Sequence, residues 1–280
     1  MAFPNIHGRR GENTSNFLDD LEMAFLVFGR DDEEIKLGAF PLVLGEEAKV
    51  WFQDLDVGKQ GLGIFELWQP CSQQPPASRP LKARLASDEP LYGAFLCSFS
   101  PTLAKILGQV GYNYVVLDMV HGLGDTFAAL PCMQALAAAG VPAIVRIAAN
   151  NPVLIKKAMD LGPQGVMVPM IETTTDAGKV VASCQYPPRG NHGAAHPIVR
   201  ASMYGLDISY LKMCANDKVL KTLQIESSKA VGRIPNISAV DGVDCLILGP
   251  TNLSSCIRYL HDPGHDNVMK LMHRVEKAIL

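Results

Sequence analysis

No run of about 20 apolar residues, the length needed to cross a hydrocarbon core, occurs in this chain. The most apolar stretch, Met133 to Ala149, is broken by Gly140, Pro142 and Arg146, so no membrane span is predicted. Met1 to Arg10 lack the apolar core of a secretory signal. The seven cysteines include no C-x-x-C pair, and an odd, scattered set reads as small core residues of a reducing compartment. A cytoplasmic protein is therefore expected. Excess positive charge is also missing: 25 basic against 28 acidic residues give a net charge of -3, and no Lys/Arg cluster occurs. Nucleic acid and anionic membrane are accordingly not the expected partners.

What is present is a chain of 280 residues, 48% hydrophobic, long enough to bury a sizeable core. Its first 58 residues differ in texture from the rest. Phe17, Leu21, Phe25 and Phe28 recur at helical spacing, as do Ala48, Trp51, Phe52 and Leu55, which predicts an α-helical N-terminal extension of two or more amphipathic helices. Residues 59–79 turn to Gly, Gln, Ser and Pro, a composition suited to a linker.

From residue 80 to 280 short apolar runs alternate with helix-length segments: LYGAFLCS, YVVLDM, PAIVRI, GVMVPM, LKTLQIES and VDCLILG. Continuous apolar runs separated in this way predict parallel strands covered by helices, hence an α/β fold of the (β/α)8 barrel type. Six such runs can be counted, two short of a closed barrel. Polar residues collect at their C-terminal ends: Asp118 and His121, Arg146, Glu226, and Asn252 just past Gly249. In a (β/α) barrel that is the face where catalytic groups gather. Met167 and Met170 read as core fillers.

The motifs LDMVHG (Leu117 to Gly122), VRI (Val145 to Ile147), NNPVLIKKAMDLG (Asn150 to Gly162), VPMIET (Val168 to Thr173), YPPRGNHG (Tyr186 to Gly193), QIES (Gln224 to Ser227) and LGPTNLS (Leu248 to Ser254) together resemble the HpcH/HpaI family of class II, metal-dependent pyruvate aldolases. The resemblance implies a lyase that cleaves a 2-keto-4-hydroxy acid to pyruvate and an aldehyde. Taking a methyl proton from pyruvate needs a cation at the enolate oxygen and a placed base. By the resemblance, Glu226 and Asn252 occupy the positions that hold Mg²⁺ or Mn²⁺, with Co²⁺ a further option. Arg146 would donate to the keto oxygen, His121 would act as base or acid, and Asp160 would hold its imidazole in the useful tautomer. Gln224 and the N–H groups around Gly249, Thr251 and Asn252 resemble the cradle for the pyruvate carboxylate. Family members are commonly oligomers, which implies a homo-oligomer in which a neighbouring chain covers part of the missing barrel.

Three positions depart from the pattern. Asn252 stands where the family has Asp, Val120 where it has an acidic residue, and His192 where it has the Arg of a Gly-x-Arg-Gly loop. An amide gives up the charge that favours a hard cation. Two readings therefore stay open, an active aldolase and a catalytically impaired remnant of one. A separate resemblance concerns residues 1–58: Gly45, Ala48 and Trp51 are similar to the pattern of a retrotransposon Gag capsid-type domain, and an unrelated helical extension is the other reading.

Overall fold

The computed structural model describes residues 25–26, 79–87, 91–207, 218–260 and 262–279. The Gag-like segment and the linker otherwise lie outside the described residues.

Six parallel strands form the sheet: β1 (Gly93–Leu96), β2 (Tyr114–Asp118), β3 (Ala143–Arg146), β4 (Gly165–Val168), β5 (Leu220–Ile225) and β6 (Cys245–Leu248). They lie side by side in chain order and curl into a half-barrel, as the alternation of runs predicts. From β2 to β6 every strand residue is buried, the mark of a parallel sheet covered on both faces. One face of the sheet is packed by Tyr114, Val116, Ile144, Met167, Leu220, Cys245 and Ile247, which cluster with Leu81 and Leu91.

Phe25–Leu26, expected in a helix, is instead extended and pairs antiparallel with β6. The outer edge of β6 offers unpaired backbone groups, and a two-residue extended segment satisfies some of them where a helix could not.

Helix α1 (Leu81–Leu85) docks at the N-terminal end of the sheet. Its Leu81 N–H donates to Gln164 Oε1 at 2.9 Å, and Lys82 pairs with Asp244 at 2.7 Å. The covering helices are α2 (Pro101–Gln109), α3 (Thr126–Ala138), α4 (Pro152–Asp160), α5 (Thr174–Cys184), α6 (Ser228–Val231), α7 (Ile234–Ser238), α8 (Pro250–Cys256) and α9 (Asp266–Ile279). The loops leaving β1 to β5 each end in a side-chain cap: Ser100, Asp125, Asn151, Thr173 and Ser227 accept from N–H groups of the helix that follows. Such caps contribute about 1 kcal/mol each and fix the loops at the C-terminal ends of the strands. No described helix is long and apolar enough to cross a membrane.

Candidate active site

The centre of the site is an ion pair. Asp118 closes β2 and Arg146 closes β3, and the register pairs them directly across the two strands. Arg146 Nε donates to Asp118 Oδ1 at 2.8 Å and Nη2 donates to Oδ2 at 2.5 Å, with both side chains buried. A guanidinium fork matched to a carboxylate fixes an orientation that a lysine could not. The Phe95 ring from β1 lies under the guanidinium, 5.0 Å from Cζ to the centroid.

Asp118 also organises the turn beyond it. Its Oδ1 accepts from Val120 N–H at 2.8 Å and from His121 N–H at 3.4 Å, while Cys97 Sγ approaches Oδ2 at 3.5 Å. Burial by itself would raise the Asp118 carboxyl, but the Arg146 guanidinium and these further donors hold it below the ordinary carboxylate range. His121 thus rides, exposed, on a turn tied to the carboxylate that locks Arg146. Gly122 follows because nothing larger fits: a Cβ there would lie 2.3 Å from Asp118 O and 2.6 Å from Cys97 O.

Two strands away, Glu226 follows β5 and is buried. Its Oε1 accepts from Gln224 Nε2 at 3.1 Å and its Oε2 from Met170 N–H at 3.1 Å. Gln224 points to the same side two residues earlier, and its Oε1 is buried without a hydrogen-bond partner. Gly249 leaves room for the carboxylate, since a Cβ there would stand 2.9 Å from Glu226 Cγ and 3.0 Å from Oε1. Asn252, half-buried in the first turn of α8, belongs to the neighbouring strand's loop. Glu226, Asn252 and Gln224 offer oxygen donors of the kind hard cations take. Among the described residues no group of three or more His, Cys, Asp or Glu side chains is placed to hold a metal.

Two of the expected arrangements do not form. Asp160 is not brought to His121: α4 starts after β3 and runs back toward the start of β4, leaving Asp160 at its far end. There Asp160 Oδ1 faces His192 Nε2 at 3.6 Å, and burial raises its carboxyl. The carboxylate at the His121 turn is Asp118. The cradle is also smaller than expected, because the Gly249 N–H donates to Ile225 C=O at 3.3 Å. The N–H groups of Thr251 and Asn252 lie in the first turn of α8, where a helix offers no acceptor of its own.

Met170 is no core filler. It is 52% exposed and has φ of +54°, beside the fully buried Met167. Nothing in the sequence marks that conformation except the preceding Pro169, which cannot donate to a ladder.

Comparison with known proteins identifies the family. A family model described as HpcH/HpaI aldolase/citrate lyase matches residues 91–279. The chain is 39% identical over 180 residues to the 2-dehydro-3,6-dideoxy-6-sulfogluconate aldolase of Pseudomonas putida, spanning 64% of this chain and 70% of that one. It is 32% identical over 205 residues to the hydroxypyruvate/pyruvate aldolase of Cupriavidus necator, spanning 73% and 76%. The crystal structure of an HpcH/HpaI aldolase/citrate lyase family protein from Burkholderia cenocepacia superposes with a TM-score of 0.68 at 38% identity, covering 72% of this chain and 80% of that one. With its six parallel strands and the polar side chains closing them, the chain belongs to the HpcH/HpaI aldolase/citrate lyase family and is a carbon–carbon lyase.

Proposed function

We propose that this lyase cleaves a 2-keto-4-hydroxy acid reversibly to pyruvate and an aldehyde, with divalent-metal assistance. The observation that carries the reading is the buried Asp118–Arg146 pair at the same strand ends as the buried Glu226 carboxylate. A guanidinium fixed in plane is a rigidly placed cation, and a keto oxygen gaining negative charge is what such a group stabilises. His121, on the turn held by Asp118 Oδ1, moves the proton between solvent and the reacting carbon or hydroxyl.

The residues present fit a hard cation. The Glu226 carboxylate, buried at the end of β5, is a hard oxygen donor that accepts from two neutral N–H groups, and Gln224 Oε1, buried without a hydrogen-bond partner, is suited to a water. Glu226 and Asn252 would hold Mg²⁺, Mn²⁺ or Co²⁺, with Gln224 and the Thr251 and Asn252 N–H groups toward the substrate carboxylate. When bound, the ion would supply charge that acidifies the methyl group next to the keto carbon. The pyruvate and hydroxypyruvate named for relatives are small 2-keto acids of the size this chemistry needs.

The test is hydrogen exchange at the substrate. With Mn²⁺ in D₂O, the purified protein is expected to replace the methyl protons of pyruvate by deuterium, followed by proton NMR; no exchange at millimolar metal would remove the proposal. One observation favours a second reading, a protein that keeps the fold with impaired turnover: the neutral Asn252 stands where the family resemblance implies a carboxylate. Homo-oligomerisation belongs with the first reading, as the resemblance to a family whose members are commonly oligomers implies.

A further inference from the structure

The ladder between β4 and β5 is broken at one point, and the break faces the proposed metal ligand. In a parallel register a strand residue bonds the residues on either side of its partner. Leu220 N–H donates to Gln164 C=O, and Val168 is level with Leu223. Continued, that alternation assigns Gln224 C=O to the N–H of Met170. Instead Ile171 N–H takes Gln224 C=O at 3.1 Å. The chain has inserted one residue, a bulge, and Met170 is that residue. Its φ of +54° turns the freed N–H onto Glu226 Oε2 at 3.1 Å.

A positive φ is uncommon for any side chain other than glycine, asparagine or aspartate. Such strain, on the order of 1–3 kcal/mol, persists only where the surroundings enforce it. Here they do: Pro169 cannot occupy a ladder donor position, and Ile171, fully buried, is anchored to β5. Bulges re-aim groups next to active sites in this way.

We infer that Met170 is a positioning residue whose backbone N–H, aimed by the bulge, fixes the carboxylate of Glu226 for cation binding. The role lies in the main chain, not in the thioether. This rests on the reading of Glu226 as a metal ligand, and the experiment separates the two.

Variants are ranked by tolerance of the left-handed conformation against apolarity. Met170→Gly and Met170→Asn accept a positive φ, whereas Met170→Ile, apolar and β-branched, does not. If the backbone carries the role, the glycine and asparagine variants keep Mn²⁺ affinity within about threefold, and the isoleucine variant weakens it by about tenfold or more, the scale seen when partners of metal ligands are lost. The opposite order, with isoleucine retained and asparagine lost, would overturn the inference in favour of the side chain.

A second measurement needs neither metal nor turnover. Amide hydrogen exchange over residues 168–173 of the metal-free full-length protein reads the Met170 N–H directly. It is expected to be slow in the parent and in Met170→Asn, and fast in Glu226→Ala. Unchanged protection in Glu226→Ala refutes the hydrogen bond even if the isoleucine variant does not fold. Absence of Mn²⁺ binding by the parent protein overturns the metal reading alone, since the exchange result still decides whether the bulge holds the carboxylate.

Discussion

Removing Asp118 tests the centre of the site most directly. In Asp118→Ala the Arg146 guanidinium, 1% exposed, keeps its charge in the interior and loses both arms of the fork, while the turn carrying Val120 and His121 loses its acceptor. Breaking a buried pair on one side costs about 3–5 kcal/mol, against a total stability of about 5–15 kcal/mol for a domain. With a urea slope of about 2–3 kcal/mol/M, the unfolding midpoint should fall by about 1–2 M. The double variant Asp118→Leu/Arg146→Met removes both charges and should recover most of that loss, because an apolar pair of similar volume is close to neutral. It should nevertheless exchange no pyruvate protons, which separates folding from chemistry. Acid should act as the single substitution does. The folded carboxyl lies below its ordinary value of 3.8, so the unfolded chain takes up the proton first. The contribution is then complete above about pH 4 and is lost as pH falls through the folded value. A midpoint shift under about 0.3 M for Asp118→Ala, or additive losses in the double variant, would refute the reasoning.

Three further outcomes are expected. Asn252→Asp puts a carboxylate in the first turn of α8 and should tighten Mn²⁺ binding about tenfold, as read by electron paramagnetic resonance; unchanged affinity would show that Asn252 does not reach the ion. Gly249→Ala places a Cβ 3.0 Å from Glu226 Oε1 and should weaken Mn²⁺ affinity while the thermal midpoint moves by only a few degrees, since a φ of -96° suits alanine. His192 is buried with both ring nitrogens lacking a hydrogen-bond partner, facing Asp160, Lys156 and the Tyr186 ring. Burial lowers its pKa below 6.5, against the opposing pull of Asp160. The unfolded chain therefore binds that proton first as pH falls below 6.5, so stability should rise with pH through this window; His192→Gln should flatten the slope in urea titrations between pH 5 and 7.

The strands were legible because parallel strands buried on both faces carry unbroken apolar runs, and the end of a run marks the end of a strand. Arg146 and Glu226 could be placed in this way, and the six parallel strands could be counted. The partner of Arg146 could not. Asp118 stands at a strand end in the sequence, but only the register of β2 against β3 makes it the other half of the fork. Asp160 was misplaced for a related reason: motif order gives no indication that α4 has carried the chain to the opposite end of the sheet. Met170 was hidden because a bulge is a property of two strands together, and one strand read alone shows only another apolar residue.

The contacts of α1 have a mechanical consequence. A closed barrel keeps its curvature through the hydrogen bond between its first and last strands, and a half-barrel has no such hoop. Leu81 is tied to Gln164, just before β4, and Lys82 to Asp244, just before β6. The helix therefore ties the entry of β4 to the entry of β6 across β5, a brace at the end of the sheet opposite Arg146 and Glu226.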